Sequence, residues 1–525
     1  MIVSGLSLPL GYTENDLFRA IRKKERNLPI RSVSILKKSI DARKKPEIRY
    51  ALTVAVNEEN PLKKAVRYET TATGVLSGRD PAELPLLAVD PVVVSGSGPA
   101  GLFAALTLLR LRIPVVLIER GDPIEERKRK VDAYHAGGEL DTESNVQFGE
   151  GGAGTFSDGK LNTGTHNSRL NEIVFRTFYE FGAPEDILYD AKPHVGTDLL
   201  SSVVLSIRRE IERIGGMVMF RTKLTGFSRD DAGKITEAIV NHGERIRTSA
   251  VVLAIGHSAR DTFEFLSECG VKLEPKPFAI GVRIEHLSDE ITKSQYGRII
   301  PELGAAPYKL TGRSPDGRGV YSFCMCPGGY VVDASSEKEA IAVNGMSYHK
   351  RDGRNSNSAI VVQVSPEDFY VSSPLDGIGF QRSIERKAFE EGRGCVPVQR
   401  FGDFLQGVKT HSFGSVAPEI EGQYETADLT RVLPEFLVSP LKICIPSFRR
   451  TLAAFSSDDA VLSAPETRTS SPVRILRDDA GRSVSVPNLY PAGEGAGYAG
   501  GIVSSACDGV RIGESVFSAL TGTER

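Results

Sequence analysis

One stretch of the chain, residues 91–121, limits the possible folds more than any other part of the sequence. It reads PVVVSGSGPAGLFAALTLLRLRIPVVLIERG. The valine run at 92–94 is typical of a buried parallel strand, and a glycine turn with the spacing G-x-G-x-x-G follows it. An apolar helix over 99–111 then leads to a second aliphatic strand over Val115–Ile118. This order predicts a βαβ unit and therefore a parallel sheet.

The residue types of this unit are those that a bound dinucleotide requires, so a Rossmann-like α/β domain is expected. Gly96 permits a tight turn, Gly98 lets a pyrophosphate approach the backbone, and Gly101 lets the helix pack on the strand. The helix N-terminus presents free N–H groups to phosphates, and Glu119 can accept hydrogen bonds from ribose hydroxyls. The residues predicted to form this site are Gly96, Ser97, Gly98, Pro99, Ala100, Gly101, Glu119 and Arg120.

A second glycine-rich segment, residues 145–165, reads NVQFGEGGAGTFSDGKLNTGT. It nearly spells a phosphate-binding P-loop, but Leu161 stands where a serine or threonine would hold Mg²⁺. Hydrolysis of nucleoside triphosphates is therefore excluded, and the segment is expected to pass along a large, flat ligand. Two strand ends further along are expected to add backbone contacts. The predicted contacts of these segments are Gly154, Thr155, Ser157, Asp158, Lys160, Leu224 and Gly256.

A third glycine-rich segment lies near the end of the chain, where residues 488–509 read NLYPAGEGAGYAGGIVSSACDG. A short strand leads into glycines, and a helix is predicted to begin near Gly501. A carboxylate here can accept a ligand hydroxyl, and a helix N-terminus can stabilise negative charge. The segment is expected to complete the first site through Gly493, Glu494, Gly500, Gly501 and Ile502.

Three side chains are candidates for assisting chemistry at this site, each with a structural role as its alternative. His257 follows a predicted strand end and could donate a proton. Arg283 and Arg468 could bind a carboxylate or balance negative charge. No metal site is expected.

Cys324 and Cys326 share one face of a predicted strand, in the segment GRGVYSFCMCPGGY. A redox pair is one interpretation, and two ordinary buried cysteines are the other. The chain has six cysteines and no C-x-x-C motif. With no signal peptide in view, this cysteine usage predicts a reduced, cytoplasmic protein. No apolar run is long enough to span a membrane.

The length of 525 residues and the changes in pattern predict four segments. They are a small α+β domain over 1–85, an α/β domain over 86–272 and 456–525, and a β-rich substrate domain inserted over 273–455. Residues 1–70 hold 15 Lys and Arg against 8 Asp and Glu, whereas the whole chain has a net charge of −2. A basic module could contact RNA or an acidic partner, or dock on the acidic remainder. Aromatic residues are not interleaved as in RNA-binding modules, so nucleic acid is not the expected partner.

Several of these motifs together resemble a known family. NVQFGEGGAGTFSDGKL, AIGHSARDTFEFL, KPFAIGVRIEH, YSFCMCPGG and ETRTSSPVRI are similar to the bacterial FAD-dependent dehydrogenases, within the two-part FAD flavoproteins of the glutathione-reductase and fumarate-reductase kind. The resemblance covers residues 90–525 and implies non-covalent FAD. The chain lacks the C-x4-C dithiol of the disulfide reductases.

The resemblance implies a soluble FAD-dependent oxidoreductase that moves a hydride between flavin N5 and a small organic substrate. No second glycine fingerprint for NAD(P)H is visible, so an external reductant and NAD(P)H that docks transiently on the inserted domain both stay open. The alternative is a flavin-binding sensor, or a partner- or RNA-binding protein, that acts through residues 1–85. The substrate and the oligomeric state stay open.

Overall fold

The computed structural model describes residues 1–26, 28–58, 80–162, 164 and 167–523. The N-terminal part is a small antiparallel sheet with one helix. Its elements are β1 (Ile2–Pro9), α1 (Glu14–Lys24), β2 (Val33–Asp41) and β3 (Arg49–Val56), with the strand order β1-β3-β2. Thr13 and Asp16 form a reciprocal capping box, which explains where α1 begins.

This N-terminal sheet docks on the rest of the protein through its edge strand β2. The backbone N–H of Lys38 donates to Tyr189 O at 2.8 Å, and that of Ala191 donates to Lys38 O at 2.8 Å. A second contact is apolar, because Ile48 packs in one cluster with Tyr296. The contacts favour the docking interpretation of the basic module, although residues 59–79 lie outside the described residues.

Residues 80–86 contact the domain that follows them in the chain. Asp80 forms an ion pair with Arg213 at 2.7 Å, the Arg112 guanidinium donates to Leu84 O, and Leu86 packs against the core of the following domain. These contacts attach residues 80–86 to the following domain.

The second part of the chain contains a parallel sheet, with helices packed on it, and a small antiparallel sheet. Its elements are β4 (Val92–Ser95), α2 (Pro99–Arg110), β5 (Val115–Ile118), α3 (Ile124–His135), α4 (Ser168–Glu180), α5 (Thr197–Arg213), β6 (Met217–Met219), β7 (Leu224–Arg229), β8 (Ile235–Val240), β9 (Glu244–Arg247), β10 (Ala250–Leu253) and α6 (Arg260–Glu268). Every strand of the βαβ unit is buried at all four positions, as the valine and isoleucine runs predict.

The remaining elements form a large mixed sheet and return at the end to the parallel one. They are β11 (Leu273–Pro275), β12 (Phe278–Leu287), α7 (Ser288–Tyr296), β13 (Thr311–Arg313), β14 (Gly319–Cys326), β15 (Tyr330–Asp333), β16 (Val343–Met346), β17 (Asn355–Val364), α8 (Asp376–Glu391), β18 (Val396–Arg400), α9 (Phe401–Gln406), β19 (Ile420–Glu421), β20 (Tyr424–Thr426), α10 (Glu435–Ser447), β21 (Val461–Glu466), β22 (Val473–Ile475), β23 (Leu489–Pro491) and α11 (Ile502–Thr521).

Two sheets position the site. The five-stranded sheet has the order β23-β10-β4-β5-β6, and each neighbouring pair is parallel. The seven-stranded sheet has the order β13-β14-β17-β12-β21-β18-β20 and is mostly antiparallel. Because β21 pairs within it, this sheet extends beyond the boundary predicted at residue 455.

The last helix, α11, packs directly on α2, although the two lie at opposite ends of the sequence. Glycines on α11 allow this approach, since a Cβ at Gly509 would lie 2.2 Å from Ala100 O and one at Gly513 would lie 3.0 Å from the Thr107 side chain. The N-termini of both helices consequently open towards the same edge of the parallel sheet, where the site lies.

Candidate functional site

A cavity of about 800 Å³ lies at the carboxyl ends of the parallel strands, between the two large sheets. This is where open parallel sheets bind their ligands, and the volume is in the usual range for such sites. Most of the predicted site residues line it. They are Gly96, Gly98, Pro99, Ala100, Glu119, Arg120, Gly154, Ser157, Asp158, Lys160, Leu224, Gly256, His257, Arg468, Glu494, Gly500, Gly501 and Ile502.

Five predicted residues do not line the cavity. Ser97 and Thr155 are buried behind the wall, at 1% and 0% exposure, and Thr155 accepts through its carbonyl from Thr197 Oγ1. Gly101 and Gly493 are packed against other residues of the fold, and Arg283 is fully buried. These five act on the site through their neighbours and not by direct contact.

The three glycines of the fingerprint have different surroundings. Gly96 has φ +102°, and a Cβ there would lie 2.3 Å from Ala254 O. A Cβ on Gly101 would lie 1.8 Å from Gly96 O. At Gly98 the nearest described atom to a Cβ is Gly152 Cα, at 3.8 Å. The first and third glycines are therefore required for folding, whereas the second faces open space in the cavity.

Two helix N-termini face the cavity without a side-chain cap among the described residues. They belong to α2, whose N-cap is Gly98, and to α11, whose N-cap is Gly501. Uncapped N–H groups at a helix start, together with the helix dipole, favour an anionic ligand group. The cavity thus offers two separate positions for negative charge.

Glu119 is held rigidly at the end of β5. One carboxylate oxygen accepts from Ser97 N at 2.9 Å and from Ser97 Oγ at 2.7 Å, and the other accepts from Gly121 N at 2.9 Å and Gly149 N at 3.1 Å. The side chain fastens the glycine turn to the segment that follows α3 while it lines the cavity.

Arg120 lines the cavity, but its charge is already neutralised by the protein. The guanidinium forms two hydrogen bonds of 2.8 Å with Asp261 and one of 2.8 Å with Glu143. It also stacks on the Phe148 ring, 4.1 Å from the centroid. Arg120 therefore stiffens this end of the cavity.

At the far end, Glu494 is half-buried and accepts a hydrogen bond from Gly501 N at 3.1 Å. Desolvation raises the pKa of Glu494 to about 7. Gly493 donates its N–H to Asp508 at 2.7 Å, and a Cβ there would lie 2.6 Å from the Ala100 side chain. Gly493 thus ties this segment to α2 and leaves Glu494 on the wall.

The glycine-rich segment after α3 contributes one buried carboxylate and one lysine. Asp158 is 1% exposed, pairs with Arg351 and accepts from the Ser347 hydroxyl. Lys160 Nζ is 3.7 Å from that carboxylate, yet it is buried and has no hydrogen-bond partner among the described residues. Lys160 lines the cavity, so its ammonium group is available to a ligand.

His257 lies on the wall with Nδ1 3.0 Å from Ser258 Oγ. Burial and the nearby guanidinium groups of Arg468 and Arg260 lower its pKa to about 3. The imidazole is consequently neutral at physiological pH. It can donate or accept one hydrogen bond.

Arg468 is also less free than the sequence suggests. It is 9% exposed and donates hydrogen bonds of 3.1 and 3.0 Å to Glu385. Arg260 donates two hydrogen bonds of 2.8 Å to the same carboxylate. Its other nitrogen reaches Ser258 Oγ at 3.3 Å. Arg468 therefore positions the His257 region and does not act as a free carboxylate clamp.

Arg283 does not contact the cavity, so its predicted role in binding substrate is wrong. It is 0% exposed and donates to Glu466 at 2.8 Å, to Cys324 O at 3.0 and 2.9 Å, and to Asn357 at 2.9 Å. Both Glu466 and Cys324 line the cavity. Arg283 thus supports the wall from behind.

Sequence reasoning missed several wall residues, five in the seven-stranded sheet, one just before β12 and one in β16. These residues are Lys276, Phe278, Tyr321, Phe323, Asn344, Gln363 and Glu466. The available signal was the strand sequence KPFAIG and the alternation in YSFCMC, which place polar and aromatic side chains at strand ends. Without the pairing of β12, β14 and β17, nothing in the sequence indicates that these ends meet.

The fold and the site define a mixed α/β protein with a glycine-turn cavity at the carboxyl end of a parallel sheet. The chain belongs to the same family as an uncharacterized protein of Clostridium beijerinckii, with which it is 45% identical over 532 residues, or 98% of either chain. Residues 277–469 match the family model described as "FAD-dependent protein, C-terminal domain-like", and residues 3–57 match a domain of unknown function.

The likeness of the chain to solved structures is distant. The flavin-dependent brominase Bmp2 is 14% identical with a TM-score of 0.38, covering 82% of this chain and 80% of its own. A geranylgeranyl bacteriochlorophyll reductase-like protein of Thermoplasma acidophilum is 12% identical with a TM-score of 0.37, covering 82% and 79%. At these TM-scores the likeness carries no argument about function. No helix within the described ranges combines the length and hydropathy of a membrane span.

Proposed function

We propose that the protein binds one FAD non-covalently in this cavity and acts as an FAD-dependent oxidoreductase. The reaction proposed is transfer of a hydride between flavin N5 and a small organic substrate. One observation carries the proposal: a single cavity is lined by the glycine turn before α2 and by the Glu494 segment before α11. The match of residues 277–469 to a family model described as FAD-dependent supports the same cofactor.

The residues present fit this cofactor. Gly98, Gly500 and Gly501 face space that a Cβ would enter without meeting any described atom within 3.4 Å. That space is what a pyrophosphate needs for close approach to backbone N–H groups. Glu119 and Leu224 stand at one end for the adenosine, and Glu494 with the α11 N-terminus stands at the other for the ribityl chain and ring.

FAD, when bound, supplies the two-electron chemistry. The residues of the chain bind the cofactor, orient the substrate and shield both from solvent. The N-terminus of α2 holds the pyrophosphate, and the N-terminus of α11 stabilises negative charge at the opposite end. Phe278, Tyr321 and Phe323 form an apolar wall from the seven-stranded sheet. The neutral His257 and the ammonium of Lys160 are the polar groups that can orient a substrate.

NAD(P)H is proposed only as a transient reductant, since no second glycine fingerprint is present in the sequence. The alternative function through the N-terminal module has less support. Within the described ranges no residue of 1–58 lines the cavity, and the module's edge strand is occupied by contacts with residues 189–191. A cytoplasmic location is part of the proposal, because the six cysteines follow no disulfide framework.

The test is anaerobic reduction of the purified holoprotein by NADH, by NADPH and by a set of small organic hydride donors. The proposal predicts that at least one donor bleaches the visible flavin absorbance in a saturable manner. Lys160→Ala should raise the KM of an anionic donor with little change in kcat, whereas Lys192→Ala, a matched lysine outside the cavity wall, should leave both unchanged. A holoprotein whose flavin no donor reduces would contradict the oxidoreductase assignment.

A further inference from the structure

The cavity wall contains a feature that the proposed function does not use, the cysteine pair on β14. Cys324 lines the cavity and is partly exposed, while Cys326 is 0% exposed directly behind it. The strand bulges here, because Phe323 pairs with Ala359 but Cys326 pairs with Asn357. A bulge re-aims side chains locally, and the Cys326 Sγ consequently lies 3.3 Å from Cys324 O.

The surroundings shift the pKa values of the two thiols in opposite directions. Arg283 reaches Cys324 O at 2.9 Å and Cys326 Sγ at 3.9 Å, and the Lys160 ammonium faces the same region. The neighbouring Cys326 thiol and the positive charges of Lys160 and Arg283 lower the pKa of Cys324, in spite of its burial. The interaction with Cys324, together with desolvation, raises the pKa of Cys326. Cys324 is therefore the more readily deprotonated sulfur of the pair, and thiolates are the reactive form in disulfide chemistry.

Cys324 also lines the same cavity as Glu494, the residue assigned to the flavin in the proposed function. The charge on Cys324 acts on the carboxyl group of Glu494, which is the residue bonded to Gly501 at the start of α11. It acts likewise on Glu466, which also lines the cavity. The sulfur that faces the cavity therefore shares its environment with the groups assigned to the flavin ring.

We propose that Cys324 and Cys326 form a dithiol–disulfide couple that exchanges two electrons with the bound cofactor. The inference rests on the proposed FAD site. In the oxidising direction a bond forms between the two sulfurs, and Cys326 loses its proton. The two electrons and that proton go to oxidised FAD, which becomes the anionic reduced form. The reverse reaction reduces the disulfide.

This couple makes the site a four-electron centre, in which the dithiol holds a second electron pair beside the flavin. The substrate class that it adds is a thiol or disulfide small enough to enter the cavity, because Cys324 lines the cavity wall. It differs from a C-x4-C dithiol, since both sulfurs lie on one bulged strand and not on a helix.

The first test counts electrons. Air-oxidised holoprotein is titrated anaerobically with dithionite, and the FAD content is measured separately on the same sample. The wild type should consume about two dithionite equivalents per FAD, and Cys326→Ser should consume about one. Cys395→Ser, a matched variant of a half-buried cysteine outside the cavity wall, should behave as the wild type.

The second test needs no variant. Acid-quenched, denatured wild type is alkylated, and the modified cysteines are counted and mapped by mass spectrometry. All six cysteines should be modified after reduction, and Cys324 and Cys326 should be the two that are protected after oxidation. Full FAD occupancy with one dithionite equivalent and six modified cysteines would overturn this inference and leave the proposed function standing. A protein that binds no FAD would overturn both.

Discussion

Gly98→Val separates cofactor binding from folding, because Gly98 is the fingerprint glycine whose side-chain position faces the cavity. Its backbone has φ −70° and ψ −179°, an extended conformation that valine adopts readily. A Cβ would have Gly152 Cα as its nearest described neighbour, at 3.8 Å. We therefore expect a folded apoprotein whose free energy of unfolding is within about 0.5 kcal/mol of the wild type.

The loss in binding follows from what the added side chain blocks. A pyrophosphate at the start of α2 would accept charge-assisted hydrogen bonds from backbone N–H groups, each worth about 1.5–3 kcal/mol. Losing two of them costs about 3–6 kcal/mol, or on the order of 10² to 10⁴-fold in the Kd for FAD. The assay is quenching of FAD fluorescence on titration with apoprotein, beside thermal unfolding of the same apoprotein.

Two further variants make the comparison sharp. Gly243→Val changes an exposed glycine with no described atom within 4 Å of its Cβ and should alter neither Kd nor Tm. Gly96→Ala should lower Tm instead, since its Cβ would lie 2.3 Å from Ala254 O at a φ of +102°. A Gly98→Val protein that binds FAD with the wild-type Kd would refute the assignment of the pyrophosphate position.

Three other predictions concern the buried carboxylate of Glu385, the carboxyl group of Glu494 and the N-terminal module. Glu385→Ala should destabilise the protein by about 3–5 kcal/mol in urea unfolding, because among the described residues it leaves the buried Arg468 guanidinium without a carboxylate partner and leaves Arg260 with Glu337 alone; Glu385→Gln should lose less. Arg260 and Arg468 hold the pKa of Glu385 well below its usual range, so this stabilisation is present above the unfolded pKa of about 4.5 and is lost as the pH falls below it. The pH dependence due to Glu494 has the opposite sign, because the pKa of this carboxyl group is raised from 4.5 to about 7. The free energy of unfolding of the apoprotein therefore falls as the pH rises across that interval. Urea unfolding of Glu494→Gln should consequently show a flatter pH profile. Removal of residues 1–79 should leave FAD binding intact, measured as FAD per chain after gel filtration, and a folded but flavin-free truncation would make the N-terminal module part of the site.

The parts of the fold and site that are formed by one continuous stretch of chain could be predicted from the sequence, because neighbouring residues determine them. The βαβ unit is encoded in one continuous stretch by aliphatic runs, glycine spacing and Glu119 at a strand end. The observed β4, α2 and β5 agree with the expected elements to within one residue. The return of the last strand to the same sheet could also be anticipated, since residues 488–509 repeat the strand–glycine–helix pattern.

The long-range contacts could not be predicted, because they depend on which strands become neighbours. Arg283 looked like a candidate for substrate binding, yet pairing of β12 with β21 brings Glu466 within 2.8 Å of it and buries both. The pKa of His257 depends on Arg468, more than 200 positions along the chain. The bulge that brings the Cys326 thiol against Cys324 is a feature of pairing with β17, and a C-x-C spacing does not reveal it.

The decisive measurement is the identity and amount of cofactor released from the purified full-length chain. The protein is denatured, and the supernatant is resolved by chromatography and quantified against FAD and FMN standards. The account predicts one FAD per chain, either as purified or after reconstitution with FAD, since one cavity joins the α2 and α11 N-termini. Release of FMN, or failure to bind any flavin after reconstitution of a folded apoprotein, would contradict it.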